Sequence, residues 1–262
     1  MQIITPNLTT EQHEIMVNSQ KYKNFINKLI NKDFIINKLI ISDITWFGNK
    51  FGMMTCHAED ITTKDGKKLN NQTFFIRGNS SSILPIFIDE NNEEYTLITQ
   101  QARVLTGQQK YFEIPAGMID ENDFSITALK EFEEETGINL NLTSKDLVSL
   151  SKVYASPGGC DEQIETFFFI KKISNKLLLQ MDNKNTGLAE EGEFIKTKII
   201  PLNSILDYAK NDMKTRLAFF DFLEYKKKYN LDYNSSFFIQ QNFLDNEDFN
   251  DDVADIVDDL SE

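Results

Sequence analysis

The chain has 262 residues, of which 40% are hydrophobic and 11% aromatic, enough to build a real core and to argue against global disorder. Its net charge of −14 argues against a phosphate backbone as the main partner, since nucleic-acid binders present a basic face. Cys56 and Cys160 lack CxxC spacing and His13 and His57 stand alone, so neither a disulfide framework nor a histidine- or cysteine-based metal site is indicated, and catalysis has to rest on carboxylates.

Thr9 and Gln12 have capping-box spacing and predict a helix start. Phe25, Ile26, Leu29 and Ile30 keep helical periodicity after it. Residues 34–41 read as a buried strand, and 43–62 as two strands punctuated by Gly48-Asn49 and Gly52. Asp65-Gly66 is a hairpin turn before a strand over 72–77. Strands follow over 82–88, 95–101, 111–114, 147–154, 164–173 and 194–200, and helices over 201–209 and 214–229. Residues 245–262 hold nine acidic and no basic residues. They read first as a solvated tail, and second as a short amphipathic segment for a basic partner. No apolar run reaches membrane-span length and no signal-peptide pattern opens the chain. The expectation is a cytoplasmic protein with neither a membrane nor a nucleic-acid partner.

The chemistry concentrates between Pro115 and Ile138. A Pro-Ala-Gly turn precedes a helix that Gly137 ends. Glu131, Glu134 and Glu135 stand at i, i+3 and i+4 and share one helical face, where like charges repel. One explanation is a solvated acidic face. The other is a hard cation such as Mg²⁺, which takes oxygen ligands from carboxylates and substrate phosphates together.

This stretch resembles the Nudix hydrolase box at Gly117, Glu131, Phe132, Glu134, Glu135, Gly137 and Ile138. It departs from that pattern in three ways. Lys130 replaces an Arg, Asp123 replaces the first Glu, and the interval between them is one residue short. Further segments resemble the ADP-ribose/ADP-sugar diphosphatase branch of that family, most closely its plant-type ADP-sugar diphosphatases. These are Trp46 to Lys50, Phe75 to Gly78, Gln101 to Val104, Ser156 to Glu162, and Thr186 to Lys196.

The resemblance implies an α/β protein: an α/β/α sandwich around a mixed sheet, with a small N-terminal antiparallel sheet that helps form a homodimer. It divides the chain into an N-terminal part (1–78), a catalytic domain (79–230) and an acidic tail (231–262). It implies Mg²⁺ or Mn²⁺ held by Ala116, Glu131, Glu135 and Glu193. Glu134 would be a further ligand or an orienting group, and Glu191 the general base. Arg77, Arg103, Glu113 and Glu162 would meet the substrate. Trp46 is either an adenine-stacking residue or a packing residue. The implied reaction is metal-dependent cleavage of the pyrophosphate of ADP-ribose or an ADP-sugar to AMP and a sugar phosphate. Two rivals are a diphosphatase for another nucleotide sugar and a Nudix-fold module that senses a nucleotide without cleaving it. A third, suggested by the acidic tail, is a partner-directed or secreted regulator that uses the hydrolase as its output.

Overall fold

The computed structural model describes residues 1–30, 33–119, 123–187 and 192–233. These divide into two units, one formed by described residues of 1–80, 118–122 and 153–164, the other by those of 81–117, 123–152 and 165–262. Among the described residues no helix is long and apolar enough to cross a membrane.

In the first unit, Thr9 opens α1 (Thr10–Asn18) with a reciprocal cap. Its hydroxyl accepts from the Gln12 amide at 3.1 Å, and the Gln12 side chain accepts from the Thr9 amide at 3.1 Å. Helix α2 (Gln20–Ile30) buries Phe25. Beside the helices lie β1 (Gln2–Ile4), β2 (Phe34–Phe47), β3 (Lys50–Thr63), β4 (Lys68–Leu69) and β5 (Gln72–Ile76). The sheet order is β1-β2-β3-β4, with β5 on β3.

Three features of this sheet differ from the sequence expectation. Residues 34–47 form one strand whose pairing shifts register between Ile41 and Asp43, so the apparent break there is a bulge and not an end. Phe34 and Ile35 point to opposite faces and are both exposed, because the core of this unit is reached only further along β2, at Leu39 and Ile41. Strand β1 joins β2 in parallel, so the sheet is not wholly antiparallel. Three residues are too few for a period-2 signal. Met16, Phe25, Leu39, Ile41, Met54, Cys56 and Ile76 form this unit's core.

The second unit is built on β6 (Ser80–Ile88), β7 (Glu94–Arg103), β8 (Gln108–Glu113), β9 (Ala116–Met118), β10 (Val148–Tyr154), β11 (Gln163–Lys172), β12 (Asn185–Thr186) and β13 (Ile195–Pro201). Its helices are α3 (Phe124–Thr136), α4 (Asn175–Met181), α5 (Ile205–Ala209) and α6 (Met213–Tyr229). The order is β10-β11-β6-β7-β13-β12, with β8 on β7 and β9 on β6. Every residue of β6 is buried, as a central strand covered on both faces requires.

Alternate residues feed two cores. Ile83, Phe87, Leu97, Phe167 and Phe169 pack with Ala128 and Phe132 of α3 and with Leu177, Leu178 and Met181 of α4. Leu84, Ile86, Ile88, Ile98 and Phe168 pack with Ile205 of α5 and with Ala218, Phe219 and Phe222 of α6. Helices therefore cover both faces of the sheet, which is the expected α/β/α sandwich. Helix α4 was not expected. Ser174 caps it, accepting from the Leu177 amide at 3.3 Å. Seven residues are too short a run to declare a helical period.

Candidate active site

Helix α3 begins at Asp123, whose carboxylate accepts from the amides of Ser125 at 2.9 Å and Ile126 at 3.0 Å. Those contacts, the Ile126 amide foremost, hold its carboxyl below the usual aspartate range. The residue at the position of the family's first glutamate thus works here as a helix cap. At the other end Gly137 takes the left-handed conformation (φ 63°) and donates its amide to the Glu133 carbonyl at 2.8 Å.

Between those caps the glutamates part company. Glu134 pairs with Lys130 one turn back, at 3.3 Å and toward solvent. Glu131 leans over the Pro-Ala-Gly turn, into space that any Cβ on residue 117 would fill. Glu135 is buried, 6% exposed. Its Oε2 accepts from the Ala116 amide at 3.1 Å and its Oε1 from Gln101 Nε2 at 3.3 Å. Burial first, then the charges of Glu113 and Glu131, push its carboxyl up to about 8. The structure thus gathers Ala116, Glu131 and Glu135 at one turn, with Glu113 close enough to be felt.

Glu113 ends β8 and is the hub of an ion-pair network. Its Oε1 accepts from Arg103, Nε at 2.7 Å and Nη2 at 2.6 Å. Its Oε2 accepts from Lys214 at 2.8 Å. Lys214 also meets Asp212 at 3.0 Å. Gln101, Lys214 and Asp212 escaped the sequence reading because nothing local marks them. Gln101 only happens to sit beside Arg103, and Lys214 and Asp212 reach the site through the fold of α6 onto β8.

In the other unit, Arg77 and Glu162 pair at 3.3 Å. Ser80 donates to the second Glu162 oxygen at 2.8 Å. Asp161 accepts from the Arg77 and Gly78 amides at 2.9 and 3.1 Å, which fixes the 156–162 loop to the end of β5. The Arg77 Nε is buried without a hydrogen-bond partner among the described residues. Trp46 meets the edge of Phe51, with ring centroids 6.1 Å apart.

Glu193 is described and exposed, while Glu191 and the tail over 245–262 lie outside the described residues. The loop that carries Glu193 is closed at its base. Thr186 and Ile195 pair across β12 and β13, and Thr186 Oγ1 donates to the Glu135 carbonyl at 2.6 Å. Gly187 (φ +88°) has the Glu193 carbonyl 2.8 Å from where its Cβ would stand, so only glycine fits.

Among the described residues no three His, Cys, Asp or Glu side chains are assembled into a metal cage by themselves. The residues nevertheless fit a divalent cation. A buried carboxylate flanked by two more negative groups, and bonded among the described residues by the neutral donors Gln101 and Ala116, is an arrangement that a hard cation with oxygen ligands relieves.

The NUDIX domain family matches residues 81–220, which span the turn, α3 and most of the sheet. Nudix hydrolase 14, chloroplastic, of Arabidopsis thaliana is 30% identical over 219 residues, covering 77% of this chain and 69% of that protein. The GDP-mannose pyrophosphatase of Cronobacter sakazakii (strain ATCC BAA-894) is 29% identical over 168 residues, 60% of this chain and 81% of that protein. The ADP-ribose pyrophosphatase of Bacillus subtilis (strain 168) is 31% identical over 111 residues, 40% of this chain and 54% of that protein. With its helices on both sheet faces and its glutamates gathered under the Pro-Ala-Gly turn, this chain belongs to the NUDIX domain family of hydrolases.

Proposed function

We propose that this protein hydrolyses the pyrophosphate bond of ADP-ribose or an ADP-sugar, with Mg²⁺ or Mn²⁺, to AMP and a sugar phosphate. The observation that carries the reading is Glu135, buried between the charges of Glu113 and Glu131 and tied to Ala116. Glu131, Glu135, the Ala116 carbonyl and Glu193 would hold the cation, with Glu134 as a further ligand or orienting group. When bound, such a cation neutralises pyrophosphate charge and lowers the pKa of a coordinated water.

The chain's own groups do the rest. Gln101 and the Ala116 amide aim the Glu135 carboxylate. Arg103 offers a planar fork to phosphate oxygens. Glu191 accepts the proton of the attacking water. Arg77 and Glu162 bind the substrate as a pair. The ADP preference is supported by the ADP-ribose pyrophosphatase relative and by the segments at Arg77, Arg103 and Ser156 to Glu162. The GDP-mannose pyrophosphatase relative favours a second reading, the same chemistry on another nucleotide sugar.

The proposal also includes a homodimer built through residues 1–78, which sedimentation velocity checks, and a reducing compartment, consistent with two free cysteines. The deciding assay incubates the protein and Mg²⁺ with ADP-ribose, ADP-glucose, GDP-mannose, UDP-glucose, NADH and coenzyme A. AMP released fastest from an ADP compound supports the reading. Faster cleavage of GDP-mannose or UDP-glucose moves it to the second, and no cleavage of any compound removes both.

A further inference from the structure

We propose that Lys214 is a positioning residue, the standing counter-ion of Glu113, whose presence lets Arg103 leave that carboxylate for the phosphates of the substrate. The inference rests on the diphosphatase reading above and deepens it.

The two oxygens of Glu113 are divided between two cations. Oε1 takes both Arg103 contacts, at 2.6 and 2.7 Å, and Oε2 takes Lys214 at 2.8 Å. The cations are not equivalent. The Glu113 side chain is 2% exposed and that of Lys214 17%, whereas that of Arg103 is 42% exposed and stands at the surface.

Lys214 is also held from behind. It donates to Asp212 Oδ1 at 3.0 Å, and Asp212 Oδ2 accepts from the Thr215 amide at 2.8 Å and hydroxyl at 2.6 Å. Thr215 Oγ1 in turn accepts from the Ile114 amide at 3.0 Å, next to Glu113 in sequence. The first turn of α6 is thereby fastened to the end of β8. Burial alone would lower the Lys214 ammonium, but Glu113 and then Asp212 raise it well above the usual lysine value. Its charge is permanent.

The consequence is electrostatic. A buried carboxylate stripped of its only cation is strongly disfavoured, so a lone Arg103 would be retained by Glu113. With Lys214 fixed on Oε2, Glu113 stays paired when Arg103 departs. Arg103 is the cation suited to the transfer, because its fork binds phosphate oxygens two at a time. In the ground state it covers Glu113, and in the complex it serves the substrate.

The test uses the full-length protein with Lys214→Met, Lys214→Gln, Lys214→Arg and Asp212→Asn. Steady-state kinetics on ADP-ribose with Mg²⁺ are paired with calorimetric binding of the products AMP and ribose 5-phosphate. Lys214→Met should raise KM by about tenfold with kcat changed less than about threefold, and weaken product binding in parallel. Lys214→Arg keeps the charge and should stay within about twofold of wild type. Asp212→Asn keeps a good helix cap and leaves Lys214 to Glu113 alone, so KM should not rise. If the methionine variant does not fold, Lys214→Gln removes the same charge while still able to donate to Oε2.

An unchanged KM, a fall confined to kcat, or an Asp212→Asn defect as large as that of Lys214→Met would overturn the assignment. Wild-type protein that cleaves none of the pyrophosphates removes the diphosphatase reading, and this inference with it. Active wild-type protein with normal KM in both Lys214→Met and Lys214→Gln removes this inference alone.

Discussion

The carboxyl carbon of Glu131 lies 1.8 Å from the point where a Cβ on residue 117 would stand, so Gly117 exists to give Glu131 its place. That atom is the far end of a flexible side chain, so Gly117→Ala should move the glutamate and not the backbone. The expected result is a folded protein, within about 1 kcal/mol of wild-type stability. Turnover at fixed Mg²⁺ should fall by roughly 10²-fold, as misplacement of an active group by an ångström does. Thermal melts and a Mg²⁺ titration of turnover check both halves. Full activity in the alanine variant would show that the Glu131 position is unimportant.

Glu135 makes a pH prediction whose sign is fixed. In the folded metal-free protein its carboxyl titrates near 8, against a reference of 4.5. A carboxyl raised on folding contributes most below its unfolded value, and that contribution is lost as pH climbs to the folded value. Metal-free protein should therefore lose stability between about pH 4.5 and 8 and level off above. Glu135→Gln keeps the shape, lacks that slope and drops turnover by several orders of magnitude. Mg²⁺ should stabilise wild type more at pH 8.5 than at pH 5.5, because only the ionised carboxylate is a ligand. Melting curves of both proteins across pH, with and without Mg²⁺, are the measurement. A slope shared by the Gln variant would assign the effect elsewhere.

The two cysteines should separate cleanly. Burial, and then the charge of Asp161, pushes the Cys56 thiol up to about 12, while Cys160 is only partly buried. A thiol reagent at pH 7.5 should modify Cys160 in native protein and reach Cys56 only after denaturation, because the thiolate is the reactive form. Peptide mapping after timed labelling distinguishes them. Early labelling of Cys56 would contradict its place in the core of its unit.

What was legible in the chain follows from how local each signal is. The Thr9-Gln12 cap and the Gly137 stop depend on residues within one turn, and each stands where its spacing puts it, whereas of the three glutamates expected on one face Glu134 turns to Lys130 and solvent. Strand β1 and helix α4 are too short for a period to rise above chance. The Glu113 network was legible only as separate residues. Arg103 and Glu113 sit in recognisable segments, but Lys214 lies 101 residues from Glu113 and reaches it only because α6 folds onto β8. The role of Asp123 shows only in the folded chain, since an aspartate before a helix serves equally well as a cap or as an acid.

The loop after Thr186 carries the last prediction. Its base is fastened to α3, because Thr186 Oγ1 donates to the backbone carbonyl of Glu135 itself, at 2.6 Å. Gly187 lets the Glu193 carbonyl close over the same base. Thr186 thus joins the end of α3 to the strand pair two residues after Glu193. Thr186→Val keeps the shape and removes that hydrogen bond, at a stability cost of about 1 kcal/mol. If the bond aims Glu193, the Mg²⁺ concentration for half-maximal turnover should rise in Thr186→Val and rise further in Glu193→Gln. Glu191→Gln should instead lower kcat with the Mg²⁺ requirement and KM little changed, as expected for a base that acts only in the transition state. Mn²⁺ titrations followed by electron paramagnetic resonance give the same ranking without turnover, with Glu193→Gln and Thr186→Val weakened and Glu191→Gln normal. Normal Mn²⁺ affinity in Glu193→Gln would remove that residue from the ligand set, and an unchanged kcat in Glu191→Gln would place the base outside this loop.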